Sequence, residues 1–354
     1  MQASQELDTI PAILRNNADQ SGDSTALIYN HNKITYETLH ELVLNASCGL
    51  SKLGIKSGDR VAFWLPNTPA YIVLYLACVH LNAIALAVNT RFKGSEVADI
   101  VSRSGAKSII FWPLFKKANF LEALNSVADV AFNEIESVII YDEDENDFMS
   151  NSLLPNSFYK KKVTTYLELI DHSGAEIDLS QPDAGCNIFT TSGTTKAPKF
   201  VLHSHRSISI HAAEVWRNLE PLIKGNAFFH TLPFCGVFGF NHFSAALSGA
   251  RPNVIQSAFN ALEAIDLIDR HKVHYISATD DMLLALLEAD NRNPALPSLT
   301  CCGYGAFNLP PEEITLRASA RGIKLVGLYG MSEVQALFAR QEHTQEDKHR
   351  YLPG

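Results

Sequence analysis

Residues 190–205, TTSGTTKAPKFVLHSH, hold the densest set of groups able to do chemistry. Five hydroxyls (Thr190, Thr191, Ser192, Thr194 and Thr195) surround Gly193, and Lys199 follows Pro198. A loop of this kind offers N–H and O–H donors that wrap a polyphosphate, with the lysine ammonium as a point charge at its margin. A Walker loop needs G-x-x-x-x-G-K-[ST], and Gly193 is followed by neither a second glycine nor a Lys-Ser/Thr pair, so that reading is excluded. Composition alone favours a Ser/Thr-rich surface turn.

Rigid elements must aim such a loop. Ile188 and Phe189, just before it, suit a strand end. Short β-rich runs recur at Arg60–Trp64, Ser108–Phe111, 137–141, 254–255, 274–277 and 324–328. Helical stretches at 95–103, 207–218, Ala261–Arg270 and 281–289 lie between them. The alternation predicts α/β layers with mostly parallel sheets. The run 71–88, YIVLYLACVHLNAIALAV, is long and apolar enough to be weighed as a membrane span. His80 and Asn82 interrupt it and Pro69 suits a helix start, so it is read as a buried helix followed by a short strand near 83–88, with no membrane span.

The chain has 354 residues, a length that suggests two or three folding units. With 46% hydrophobic residues, disorder as the main state is excluded. Lys and Arg number 29 and Asp and Glu 38, giving a net charge of −9 that leaves no nucleic-acid footprint on the chain as a whole. Six cysteines are too sparse for a disulfide scaffold, and none has zinc spacing. Cys78, Cys186 and Cys235 read as small buried thiols. With no basic residue before Arg15, a secretory signal is not expected, and a reducing cytoplasm fits. The acidic run 142–147 (DEDEND) lacks calcium-loop spacing and reads as a solvated loop.

TTSGTTKAPK closely resembles the phosphate-loop motif of the adenylate-forming superfamily, which reads TSGTTG-x-PK and includes acyl-CoA synthetases, peptide-synthetase adenylation domains and luciferases. Further matches follow in the family's order. Residues 32–39 (NKITYETL) resemble its TY-x-EL element, and 58–66 (GDRVAFWLP) with 89–105 resemble its first α/β unit. Residues 303–310 (GYGAFNLP) resemble the adenine-side GGA-x-LP loop, and 328–333 (LYGMSE) resemble Y-G-x-[ST]-E. The similarity covers nearly the whole chain.

The resemblance implies a fold, an activity and a set of site residues. The fold is two interleaved α/β subdomains, at about 59–200 and at 1–58 plus 201–340, of an N-terminal AMP-binding domain. The activity is ATP-dependent activation of a carboxylic acid to an acyl-adenylate, followed by thioester formation with coenzyme A. By position, Thr191, Ser192, Gly193, Thr194, Thr195 and Lys199 hold the β- and γ-phosphates, with Thr194 or Thr195 near the departing pyrophosphate. Glu333 matches the Mg2+ ligand and Ser332 a hydroxyl on the α-phosphate. Gly305, Ala306 and Phe307 line the adenine site, Tyr329 packs on the base, and Gly330 and Met331 complete the wall. Lys199, Thr194 and Glu333 are the expected catalytic groups. The acid pocket falls, by analogy, to Phe234, Gly236, Val237, Phe238, Asn241, Gly303 and Tyr304, with Asp280 and Asp281 beside them.

Three positions depart from the family pattern. Lys196 replaces a usual glycine, Gly236 stands where many relatives have histidine, and Asp280-Asp281 replaces a common Pro-Thr, either tuning the pocket or capping the next helix. The family's ribose-binding aspartate, hinge residue and lysine-bearing C-terminal domain are not found before Gly354, so the 354 residues are expected to be a truncated piece, in preference to a naturally short relative, and nearly inactive on their own. Two rivals stay open: an adenylation domain loading a carrier-protein thiol, and a degenerate relative that binds nucleotide or acyl ligands without turnover.

Overall fold

Thr68 and Pro69 start the helix on which the first sheet is built. In the computed structural model, which describes residues 7–116, 118–143, 154, 158, 160–174, 178–191, 197–223 and 227–342, Thr68 Oγ1 accepts the Tyr71 N–H at 3.1 Å and Pro69 supplies the fixed φ of a first turn. Pro69–His80 is buried along 70–80, and His80 Nδ1 pairs with Leu76 O at 2.8 Å inside the helix's own last turn. Twelve residues rise about 18 Å, well short of a hydrocarbon core of about 30 Å. Among the described residues no helix is long and apolar enough to cross a membrane.

The chain divides into two compact units, Met1–Gly22 with Tyr36–Ser209, and Asp23–Thr35 with Ile210–Gly354. The first contains a seven-stranded sheet in the order 199–204, 185–191, 84–87, 60–64, 108–111, 137–140, 162–165. All neighbours are parallel except 199–204, which runs antiparallel to 185–191. Ser108–Phe111 and Ser137–Ile140 are buried at every position, the pattern of parallel strands covered on both faces. Helices Ile10–Ser21 and Tyr36–Leu53 belong to this unit, and Ser47 on the second donates to Ala77 O of the 69–80 helix at 3.3 Å. The division thus differs from the expected 59–200 and 1–58 plus 201–340. Both early helices pack in the first unit, and only the hairpin of Thr25–Tyr29 and Asn32–Thr35 joins the second.

The second unit has two four-stranded sheets. Strand Thr25–Tyr29 pairs parallel with Asn253–Ile255, which pairs parallel with Phe228–His230. The other sheet runs Tyr275–Thr279, Cys301–Gly305, Leu325–Tyr329 and Ala339–Arg340, with the last strand antiparallel. One core joins Ile28, Val254, Ile268, Ile276, Leu283, Cys302 and Leu325. All six cysteines are free, and Cys78, Cys186 and Cys235 are buried as expected.

Candidate functional site

The three parallel strands Tyr275–Thr279, Cys301–Gly305 and Leu325–Tyr329 of the second unit end together. Thr279 is the register partner of Gly305, and Tyr304 of Gly327, so Asp280, Ala306 and Gly330 leave the same carboxyl edge of one sheet. Ligands of open α/β sheets bind outside such edges. Gly305 is buried at its strand end, whereas Ala306 is exposed and Phe307 is 69% exposed. Tyr329 (57% exposed) and Met331 (45%) are open apolar surfaces on the same edge.

The first unit does the equivalent with its hairpin. Strand Gly185–Thr191 pairs parallel with 84–87, which puts Thr191 at the carboxyl edge, and Lys199 opens the antiparallel return strand as the register partner of Thr191. Ser192, Gly193, Thr194, Thr195 and Lys196 lie outside the described residues. The return path is fastened by Arg103, a residue the sequence motifs do not single out. Its Nη2 donates to Pro198 O at 2.9 Å, its guanidinium lies 4.6 Å from the centre of the Phe200 ring, and Asp99 one turn earlier holds its Nε at 2.9 Å.

Glu333 sits in a one-turn 3₁₀ helix, Ser332–Val334, and is exposed. Among the described residues no group of three or more His, Cys, Asp or Glu could form a protein metal cage. Mg2+ asks for less, because it takes one or two carboxylates and fills its octahedron with water and phosphate oxygens. A single exposed carboxylate therefore fits that ion.

After the 3₁₀ turn the backbone enters the left-handed region three times in succession, at Gln335 (φ 62°), Ala336 (52°) and Leu337 (45°). Each costs roughly 1–2 kcal/mol for a residue with a side chain, and strain of this kind concentrates where structure serves a site. Ala336 N–H bonds Met331 O at 2.9 Å, and Gly327 exchanges two bonds with Gln341, at 2.9 and 3.0 Å, which clips the turn's far end to the sheet.

That turn forms part of the wall of a cavity of about 640 Å³ within the second unit. Val215 and Leu219 of helix His205–Ile223, with Leu328, Leu337 and Phe338, make its apolar side. Tyr275, His211, Glu214 and Arg340 add polar groups, and Arg340 Nη1 is buried with no hydrogen-bond partner among the described residues. Phe234, Gly236, Val237, Phe238, Asn241, Gly303 and Tyr304 are not among its lining residues. Phe234 (0%) and Asn241 (1%) are buried, and Tyr304 lies in the second unit's hydrophobic core. Gly303 bears on the cavity indirectly, because a Cβ there would collide with the Tyr275 hydroxyl and with Leu328, both wall residues. Gly236 has an ordinary extended backbone (φ −102°, ψ 139°), and a Cβ there would meet only Pro233 O at 3.5 Å. Nothing in its backbone requires glycine.

Asp280 is fully buried at the first position of helix Asp280–Ala289. Burial pushes its pKa up, but the N–H groups of Leu309, Asn308, Phe307 and Asp281 outweigh that and hold it below the usual carboxylate range. Its neighbour Asp281 accepts the Thr279 hydroxyl instead. Asp280 Oδ1 accepts the Asp281 N–H in the first turn of that helix, as a cap would, and Oδ2 faces the loop after Gly305.

A family model described as AMP-binding enzyme matches residues 14–354. The chain belongs to that family. It is 28% identical over 335 residues to the 3-[(3aS,4S,7aS)-7a-methyl-1,5-dioxo-octahydro-1H-inden-4-yl]propanoyl:CoA ligase of Mycobacterium tuberculosis, covering 94% of this chain and 64% of that protein. The chain thus spans less than two thirds of that relative's length. Its fold is that of an anthranilate CoA ligase solved with anthranoyl-AMP (TM-score 0.79, 19% identity, 94% of this chain and 61% of the other). It is also that of the o-succinylbenzoate coenzyme A synthetase of Bacillus subtilis solved with ATP and magnesium (TM-score 0.73, 21% identity, 94% and 62%). The mixed α/β architecture expected from the motifs is therefore the fold of the N-terminal part of adenylate-forming enzymes.

Proposed function

We propose that this protein binds ATP with Mg2+, activates a carboxylic acid as its acyl-adenylate and passes the acyl group to coenzyme A. Family membership across residues 14–354, with Lys199, Gly305 and Glu333 at their motif positions, carries the reading. In the first step a carboxylate oxygen attacks the α-phosphorus, the bond to the bridging oxygen breaks, and pyrophosphate leaves with the electron pair. In the second, the coenzyme A thiolate attacks the acyl carbon and AMP departs. Little covalent chemistry falls to the protein, so positioning and charge stabilisation are its tasks.

In this reading Thr191, Ser192, Gly193, Thr194, Thr195 and Lys199 serve the phosphates, with Ser332 on the α-phosphate. Gly305, Ala306, Phe307, Tyr329, Gly330 and Met331 serve the adenine. Glu333 would hold Mg2+, and the ion would supply charge neutralisation for the phosphate oxygens. The cavity of about 640 Å³ is assigned to the acid: its size lies within the range of small-molecule sites, its walls suit an aliphatic or cyclic body, and Arg340 offers a cation. The relative named above is a CoA ligase, which favours coenzyme A over a carrier-protein thiol as acceptor. Six free cysteines agree with a cytoplasmic location.

Hydroxylamine trapping tests the first step apart from the second. The whole protein, ATP, Mg2+ and a panel of carboxylic acids should give hydroxamate with one class of acid and no coenzyme A present. ATP binding without hydroxamate from any acid would move the assignment to the non-catalytic relative.

A further inference from the structure

Asp280 Oδ2 accepts three consecutive backbone N–H groups, from Phe307 at 3.0 Å and from Asn308 and Leu309 at 2.6 Å each. Asp280 Oδ1 accepts the Asp281 N–H at 3.0 Å and Asn308 Nδ2–H at 3.3 Å. Successive N–H groups that converge in this way form an anion-binding concavity, and here the chain fills it with its own carboxylate. The carboxylate is buried, yet the loop it holds is exposed at Ala306, Phe307 and Asn308. Burying a charge is costly unless it is fully hydrogen-bonded, so an apolar side chain would be the simpler choice if only packing were needed. The pairing of Thr279 with Gly305 sets Asp280 one residue past the sheet edge, beside the first residue of that loop.

We propose that Asp280 is a positioning residue for adenine recognition: it fixes the path of 305–309, and so the places of Gly305, Ala306 and Phe307, without touching the nucleotide. This rests on the nucleotide reading above. The motif pattern has Pro-Thr at 280–281, so the clamp belongs to this chain's own residues.

The test is calorimetric titration of ATP, GTP and inorganic tripolyphosphate into the protein and its Asp280→Asn variant, with Mg2+ present. A displaced adenine loop should weaken ATP by about tenfold or more and shrink the preference for ATP over GTP, while tripolyphosphate stays within about twofold. Hydrogen exchange at the amides of 307–309 should quicken in the variant while the strand amides of 301–305 keep their protection. If Asp280→Asn does not fold, Asp280→Glu, which keeps the charge and moves it by one methylene, takes its place with the same readouts. Equal losses for ATP and tripolyphosphate, or an unchanged ATP affinity, would overturn the positioning role. A wild-type protein that binds tripolyphosphate and ATP alike with no base preference would overturn it too. Failure of the wild type to bind either ligand would remove the nucleotide reading itself and the Asp280 role with it.

Discussion

Thr191 and Lys199 face each other in register across an antiparallel strand pair. The hydroxyl-rich run therefore starts and finishes at one carboxyl edge of the first sheet, and Lys199 is held by a strand rather than by a free loop. Removing its ammonium should cost a charge-assisted contact to phosphate. Lys199→Ala is expected to weaken ATP by roughly 10–100-fold, the equivalent of about 1.5–3 kcal/mol, and to leave the affinity for the acid unchanged. Equal losses for both ligands by calorimetry would contradict the assignment.

Arg103 supports the same edge from helix Gly94–Ser104, through Pro198 O and the face of Phe200. Arg103→Ala and Arg103→Lys should both raise the KM for ATP several-fold, because lysine keeps the charge but loses the planar fork and the stacking. The side chain is partly exposed, so the stability change should stay near or below about 1 kcal/mol. A variant with lysine that behaves as wild type would show that charge alone matters there.

Gly303 is the clearest packing constraint on the cavity. An added methyl must displace the Tyr275 ring or Leu328, and both are wall residues. Gly303→Ala is expected to destabilise the protein by about 1–3 kcal/mol through overpacking and to shift acid preference toward smaller acids. Comparison of kcat/KM across an acid series checks this, and an unchanged profile would separate the cavity from acid selection.

Buried histidines give a pH signature. Burial lowers His230 to about 4 and His242 to about 3, the latter among Phe228, Phe238 and Tyr275. In the unfolded chain both titrate near 6.5, so the folded protein binds fewer protons below that pH. Their stabilising contribution is complete above about pH 6.5 and is lost as pH falls toward their folded values, on the order of 3 kcal/mol for His230. His242→Leu should flatten the acid limb of stability against pH by up to about 1.4 kcal/mol per pH unit. Denaturant unfolding from pH 7 to 4.5 measures the slope.

The sequence was most readable where one local cause sufficed. Pro69 announced the buried helix at 69–80, and the β-rich runs at Arg60–Trp64 and Ser108–Phe111 agree with the strands to the residue. Helix Val237–Ser248 was hidden because it is apolar on nearly every side and carries Gly239, which is there because a Cβ would strike the carbonyls of Leu232 and Pro233. Strand Lys199–Ser204 lies at a sheet edge without a buried face of strict alternation. The Asp280 clamp joins residues 27 to 29 apart, and Arg103 reaches Pro198 across 95. No periodicity or spacing reports such contacts, since they exist only after the strands have brought distant loops to a common edge.

Acid-dependent exchange of pyrophosphate into ATP tests the adenylation claim most directly, because it requires reversible formation of the acyl-adenylate and no acceptor thiol. In the whole protein, exchange is expected with one class of carboxylic acid, with a strict dependence on Mg2+ that Glu333→Gln weakens and a strong loss in Lys199→Ala. Absence of exchange with every acid tried, from a protein that binds ATP and its acids, would contradict it.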